Sequence, residues 1–494
     1  MRTLYRNGRI CAPGLRGPGA LLVDEGTVAW LGDDSDAPSG MRVVDLHGRL
    51  VTPAFVDAHV HCTATGLSLT GLDLAGAPSL RAVLDRVEHA ARAGRGRPVL
   101  GGGWDESGWP ERRPPTAAEL DRAAYGGAVY LARVDAHSAV VSSVLLAGVA
   151  HLPGYRADGH LTRAAHDAAR TAALGALSAA QTADLQRAAL RHAASLGIAC
   201  VHEMAGPAIS SAADLTGLLQ LAKAEPLPEV IGYWGELFGI DAARELGAAG
   251  AGGDLFCDGS LGSHTAALSE PYTDRPESSG VLRYETGDLA EHIVRCTRAG
   301  LQAGFHAIGD AAVDQVLDAA GRAGGAGHRI EHAEYVRDPA RLAASGLVAS
   351  VQPGFDAAWG GPGGMYQARL GTHRAARLNR FAALAAAGVP LAFGSDAPVT
   401  PLGPWAAVRA ATHPHRPDTA LSAEAAFAAH TRGGWRAAGR ADGGELVPGA
   451  AATFAVWDAP GIDLPELAPG VPLPTCLGTV RAGTVIFDAG VLSG

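Results

Sequence analysis

The chain contains almost no lysine. Of its 40 basic residues only Lys223 is lysine, and the other 39 are arginine. It has no basic block either, and its net charge is −10, which argues against nucleic acid or an anionic membrane as partner. No run of 18 apolar residues occurs, so the sequence offers no membrane span. Residues 1–14 lack the long apolar segment of a secretory leader, and the expectation is a cytoplasmic protein. The six cysteines (11, 62, 200, 257, 296 and 476) form no C-x-x-C pair, which argues against a disulfide framework or a cysteine zinc site.

What is present is a long chain, 494 residues and 47% hydrophobic, with room for a large core and more than one domain. Residues 1–50 read as short alternating strands broken at Asn7-Gly8, Glu25-Gly26 and His47-Gly48. That unit is too small to stand alone. Residues 452–457 and 478–487 repeat its style, so both ends are expected to pair into one β-sandwich: 1–50 and 441–494.

Between them, over 51–440, apolar strands alternate with helical patterns. The strand candidates end at His59, His202, Trp234, Cys257, His306, His332, Gln352 and Asp396. Eight such units, with near-continuous apolar strands, predict an α/β fold of the (β/α)8 TIM-barrel class. A doubly wound open sheet is the alternative, but the Gly-rich phosphate turn it would favour is missing. An insertion of about 62–190 follows the first strand. It carries strand-like pieces at 98–105 and 128–137, and a helix capped by Ser178 and stopped by Gly197.

The chemistry gathers at strand ends. Residues two apart on a strand share a face, so His59 and His61 in Asp57-Ala-His-Val-His61 point the same way. Such a pair suits a borderline cation such as zinc. Alone it is a weak signal, and a lone histidine closing a strand is usually a hydrogen-bonded core residue. Four histidines and an aspartate (His59, His61, His306, His332 and Asp396), all closing buried strands, are harder to dismiss. Left unpaired, each would cost roughly 1–3 kcal/mol, and one shared cation would satisfy most of them.

These stretches, together with Gly103-Trp-Asp-Glu-Ser-Gly-Trp109, Arg133-Val-Asp-Ala-His137, Asp258-Gly-Ser-Leu-Gly-Ser-His-Thr-Ala266, His306-Ala-Ile-Gly-Asp310, Ile330-Glu-His332 and Gly394-Ser-Asp396, resemble the amidohydrolase superfamily almost end to end. The match is to its family 3 branch, which includes D-aminoacylases and N-substituted formamide deformylases. The resemblance implies a metal-dependent hydrolase of non-peptide C–N bonds, with a barrel and a composite sandwich. It also implies that His59, His61, His306 and Asp396 hold or face the metal, with His332 as a further ligand or a water-orienting group.

One departure matters. Two-metal members often bridge their ions with a carboxylated lysine on the fourth strand, where this chain has Asp254; Lys223 lies ahead of the third strand. An aspartate reaches only about 2–3 Å beyond its Cα, so the expectation is one ion, Zn2+ first and Fe2+ or Mn2+ as alternatives. Asp254 is read as a hydrogen-bonded carboxylate inside the barrel, or with less weight as a ligand to a second ion through a shifted backbone or water. Asp396 is the expected general base, passing a water proton to the leaving nitrogen, with His332 assisting.

Trp104, Asp105, Arg133, His137, Asp258 and Gln352 are the candidates for substrate contact. Against them stand an aromatic core within the insertion for Trp104 and a structural ion pair for Arg133. The expected partner is a small-molecule substrate, with a homodimer left open. Two other readings stand beside the amide hydrolase: a deaminase of a cyclic or heteroaromatic amidine on the same metal, and a silent barrel that only binds.

Overall fold

Apolar runs closed by glycine or by a polar residue become parallel strands buried on both faces, as a barrel wall requires. The computed structural model describes residues 2–12, 18–134, 138–324, 326–441, 443–459 and 464–493. Eight parallel strands form one sheet in chain order: β1 (Phe55–Val60), β2 (Ile198–Ala205), β3 (Glu229–Trp234), β4 (Gly250–Ala251), β5 (Gln302–Ala307), β6 (Arg329–His332), β7 (Val348–Val351) and β8 (Leu391–Phe393). Every residue of β1 and of β2 is buried. The sheet nearly closes on itself. Val60 bridges Ala397 in parallel, the His61 N–H donates to the Ala397 carbonyl at 3.0 Å, and the Asp396 N–H donates to the His59 carbonyl at 2.8 Å. Helices separate most consecutive strands, giving the α/β barrel that the sequence predicts.

The fourth strand is the exception to the predicted positions. It lies at 250–251 rather than 255–257, and Phe256 contributes only an isolated bridge to His306. Glycine explains the shift. A Cβ on Gly252 would sit 2.1 Å from the backbone N of Gly304 on β5, and Gly253 takes the left-handed φ of +84°. The ladder breaks there, and contact with β5 resumes at Phe256, past Asp254.

Cys62–Ala189 forms a compact unit by itself. Its five-stranded sheet runs His160–Thr162, Ser138–Val141, Val129–Arg133, Val99–Trp104 and Leu72–Asp73. Trp104, Trp109, Leu120 and Val140 share one of its cores, and Tyr130, Leu161 and Ala165 share another. The helix Ala179–Ser195, which leads toward β2, begins on a reciprocal cap. Ser178 Oγ accepts from the Gln181 N–H, and the Gln181 side-chain oxygen accepts from the Ser178 N–H.

The two chain ends build a separate eight-stranded sheet. Strands Thr3–Ile10, Pro18–Asp24, Thr27–Asp33, Arg42–Asp45 and Leu50–Pro53 join Phe454–Asp458, Thr475–Arg481 and Thr484–Asp488. Leu50–Pro53 pairs with Phe454–Asp458 and so welds the ends together. Tyr5, Leu21, Val44, Phe454 and Val480 share its core. Among the described residues no helix is long and apolar enough to cross a membrane.

Candidate metal centre

The ends of the barrel strands bring six polar side chains into one buried cluster. His59 and His61 come from the end of β1, and His306 from β5. His332 closes β6, Asp396 follows β8, and Asp254 follows β4. Strand alternation places His59 and His61 on one face. His332 and Asp396 arrive differently. Glu331 is in register with His306, so its neighbour His332 would face the other way on a regular strand. Instead His332 takes φ +68° and Asp396 φ +55°, left-handed turns that rotate both side chains into the cluster. Such backbone strain collects at functional sites.

Hydrogen bonds on the outer side of each ring decide which nitrogen faces inward. His59 Nδ1 lies 3.0 Å from Glu331 Oε2, His61 Nδ1 3.0 Å from the Met204 carbonyl, and His332 Nδ1 2.9 Å from Gln352 Oε1. His306 does this in reverse, its Nε2 lying 3.2 Å from the Gly259 carbonyl. With a proton on each outer nitrogen, the second nitrogen of every ring is left facing Asp254, as a lone pair or, where the ring takes up a second proton, as a donor. Asp254 Oδ2 is 3.3 Å from His61 Nε2 and 3.4 Å from His59 Nε2. Its Oδ1 is 3.2 Å from His306 Nδ1 and 3.4 Å from His332 Nε2. Asp396 Oδ1 adds contacts of 3.1 Å to His61 and 3.6 Å to His59.

Lone pairs facing carboxylate oxygens repel unless positive charge lies between them. His59 Nε2 and Asp396 Oδ1 are both buried without a hydrogen-bond partner, a desolvation cost that a cation would remove. Among the described residues two groups have donor atoms within 4.8 Å of one another: His59, Asp254 and His332, and His59, His61 and Asp396. Nitrogen and carboxylate donors of this kind suit a divalent ion such as zinc.

The electrostatics agree. Burial disfavours charge on His59, yet Asp254, Asp396 and Glu331 outweigh it and push its pKa up to about 10. His61 and His332 are raised against burial by the same carboxylates. Burial raises Asp254 and Asp396, but the surrounding imidazoles hold both below the ordinary carboxylate range. The cluster attracts positive charge, whatever carries it.

Asp254, given little weight from sequence, stands between the four histidines. Its carboxylate follows the Gly252-Gly253 break in the strand and lies within 3.2–3.4 Å of a ring nitrogen of each of the four. Three further side chains escaped the sequence reading, the pair Glu331 and Arg329 and, separately, Asp57. Glu331 orients His59, and Arg329, wholly buried, donates to Glu331 from Nε at 2.7 Å and to the Ala58 carbonyl from Nη2 at 2.7 Å. Their spacing of two along β6 was the available signal. Asp57 is the third, accepting from the Ser395 N–H at 2.9 Å and the His59 N–H at 3.2 Å and so tying β1 to the chain beyond β8.

The substrate candidates divide. Gln352 is buried against His332 and fixes that ring. Asp258 is buried and accepts from the N–H groups of Ala267, Ile308 and Gly309, bracing the loop beside His306. Within the insertion Trp104 is fully buried, its indole N–H donating to the Leu131 carbonyl at 2.9 Å. Arg133 pairs with Asp105 at 3.2 Å and Glu106 at 3.0 Å. His137 lies outside the described residues.

Comparison with known proteins gives a consistent picture. A family model described as the amidohydrolase family matches residues 42–487. Protein LONG AFTER FAR-RED 3 of Arabidopsis thaliana is 28% identical, over 85% of this chain and 80% of its own. An N-substituted formamide deformylase of Arthrobacter pascens is 25% identical over 90% of each chain. The crystal structure of an uncharacterized metal-dependent hydrolase from Pyrococcus furiosus superposes with a TM-score of 0.82 at 30% identity, covering 93% of this chain and 99% of that one.

Proposed function

From the premise that this chain belongs to the amidohydrolase family and is a hydrolase acting on C–N bonds, we propose that it cleaves a small non-peptide amide, such as an N-substituted formamide, with water. The observation that carries this reading is the convergence of four imidazoles and two carboxylates, Asp254 and Asp396, at one buried point.

The arrangement favours two ions over the single ion expected from sequence, because each oxygen of Asp254 faces its own pair of histidines. His59, His61 and Asp396 would hold one ion, and Asp254 and His332, with His306 beside them, the other. A divalent cation, when bound, supplies the polarisation that brings the pKa of water toward neutrality.

The chain's own groups do the rest. Asp396 takes the proton from the attacking water and delivers it to the nitrogen as the C–N bond breaks. Glu331 and the Met204 carbonyl keep the His59 and His61 rings oriented, and Gln352 does the same for His332. The products are a carboxylate and an amine.

Metal analysis of the purified protein, with a screen of N-formyl, N-acyl and cyclic amidine compounds, tests this. Carboxylate and amine release supports the amide reading, and ammonia release from an amidine would replace it with a deaminase. Asp396→Asn is expected to retain metal and lose at least about 100-fold in kcat. Near wild-type turnover in that variant would remove Asp396 as the base.

A further inference from the structure

Phe256 lies two residues beyond Asp254 and bridges His306 in parallel. Bridge partners point to the same side of a sheet, so Phe256 faces the same way as His306. Its ring packs edge-on to His306 at 4.7 Å between centroids, and it is only half-buried. Phe256 is therefore a wall of the site that solvent, and hence a substrate, reaches.

Over that ring stands Arg283, its guanidinium carbon 5.1 Å from the centroid. The segment carrying it is pinned to the loop after β4, because the Arg283 N–H donates to the Cys257 carbonyl at 2.9 Å and the Val281 N–H to the Thr265 carbonyl at 3.4 Å. Arg283 is exposed, and among the described residues its guanidinium forms no ion pair or hydrogen bond. The 5.1 Å and 4.7 Å spacings together put it within about 10 Å of the His306 ring. The two residues before it, Val281 and Leu282, are exposed and apolar at 61% and 42%.

We propose that Arg283 is an anion-binding group of the substrate site, and that the substrate carries a carboxylate or similar anion at the end remote from the scissile bond, with an apolar body lying along Phe256, Val281 and Leu282. The inference rests on the hydrolase reading for its reaction, but not for its binding. A planar guanidinium presents a fixed fork of donors that a carboxylate matches. Stacking on Phe256 holds that fork in place without using up its donors. Such a pair is worth about ten- to hundred-fold in affinity when partly shielded from water.

The test uses the metal-loaded full chain with two probes, 4-formamidobenzoate and 4-formamidobenzamide, which differ only in the charge of the remote group. Calorimetric binding is measured for the wild-type chain, Arg283→Met and Arg283→Lys, with kcat and KM wherever a probe is turned over. Expected is a tenfold or greater preference of the wild type for the benzoate. The preference should collapse in Arg283→Met and return in part in Arg283→Lys, with the change in KM rather than kcat. A wild type without preference overturns the proposal. So does a preference that survives in Arg283→Met, which would mean the carboxylate binds the metals instead. If both probes bind as expected and neither is hydrolysed, the anion site stands and the formamide reading of the reaction fails.

Discussion

The barrel and the Cys62–Ala189 insertion use the same kinds of residue to opposite ends. In the insertion the chemically suggestive side chains find partners within the unit: the Trp104 N–H on the Leu131 carbonyl, the Trp109 N–H on the Ala77 carbonyl, and Arg133 on Asp105 and Glu106. In the barrel six side chains gather with their acceptor atoms facing one another and with His59 Nε2 and Asp396 Oδ1 left over. A binding centre is marked by shared, unmet valence rather than by residue type. Tryptophan and arginine in a family-like motif are compatible with plain packing, whereas buried imidazoles and carboxylates converging on one point draw in positive charge.

The largest effect that would test this contrast is Asp254→Ala. Removing the carboxylate that touches all four histidines should cut metal retention, read by elemental analysis after dialysis, by more than about 100-fold, beyond what loss of an outer hydrogen bond brings. Full retention would return Asp254 to the minor role assigned from its length. Gly252→Ala sharpens the argument by leaving every ligand in place. Its Cβ would meet Gly304 N at 2.1 Å, so denaturant unfolding should show about 3 kcal/mol of lost stability, accompanied by metal loss. Unchanged metal content would mean that the glycine break does not set the position of Asp254.

Next comes a polar group that is fully satisfied inside the barrel wall. His430 is buried, its Nδ1–H donating to the Val56 carbonyl at 2.9 Å, and burial pushes its pKa from 6.5 down to about 4. Below pH 6.5 the unfolded chain takes up a proton that the folded chain refuses. The stability His430 contributes is therefore complete above that pH and is lost as pH falls toward 4. The loss should reach about 3 kcal/mol and should be absent in His430→Gln; parallel unfolding curves of the two proteins between pH 7 and 4 would refute it. The smallest effect belongs to the insertion. Trp104→Phe forfeits one buried hydrogen bond and should cost about 1–3 kcal/mol with metal content unchanged. Metal loss in that variant would erase the distinction between the two regions.

Much of this was legible before any coordinates. The eight apolar runs, the shared face of His59 and His61, and the polar residues ending later strands all follow from period-two alternation and from the cost of burying polar atoms. What escaped did so for definite reasons. Asp254 was judged by covalent reach along a regular strand, and the length of a side chain does not reveal where its backbone lies. His332 and Asp396 were placed by position at strand ends, but alternation would turn His332 away from Glu331. Only the left-handed turns at +68° and +55° bring both inward. Arg283 carried no motif at all, and its place over Phe256 comes from a loop whose path local pattern cannot fix.

The sequence by itself determined the architecture, since burial of apolar strands is a one-dimensional pattern that chain order preserves. It also determined the donor types, because the imidazole and carboxylate groups at buried strand ends are fixed by residue identity and strand position whatever their distances. Tertiary structure alone decided how those donors are shared. Whether one carboxylate serves two pairs of histidines depends on the close approach of Gly252 to Gly304, a contact between segments some fifty residues apart that no local rule contains.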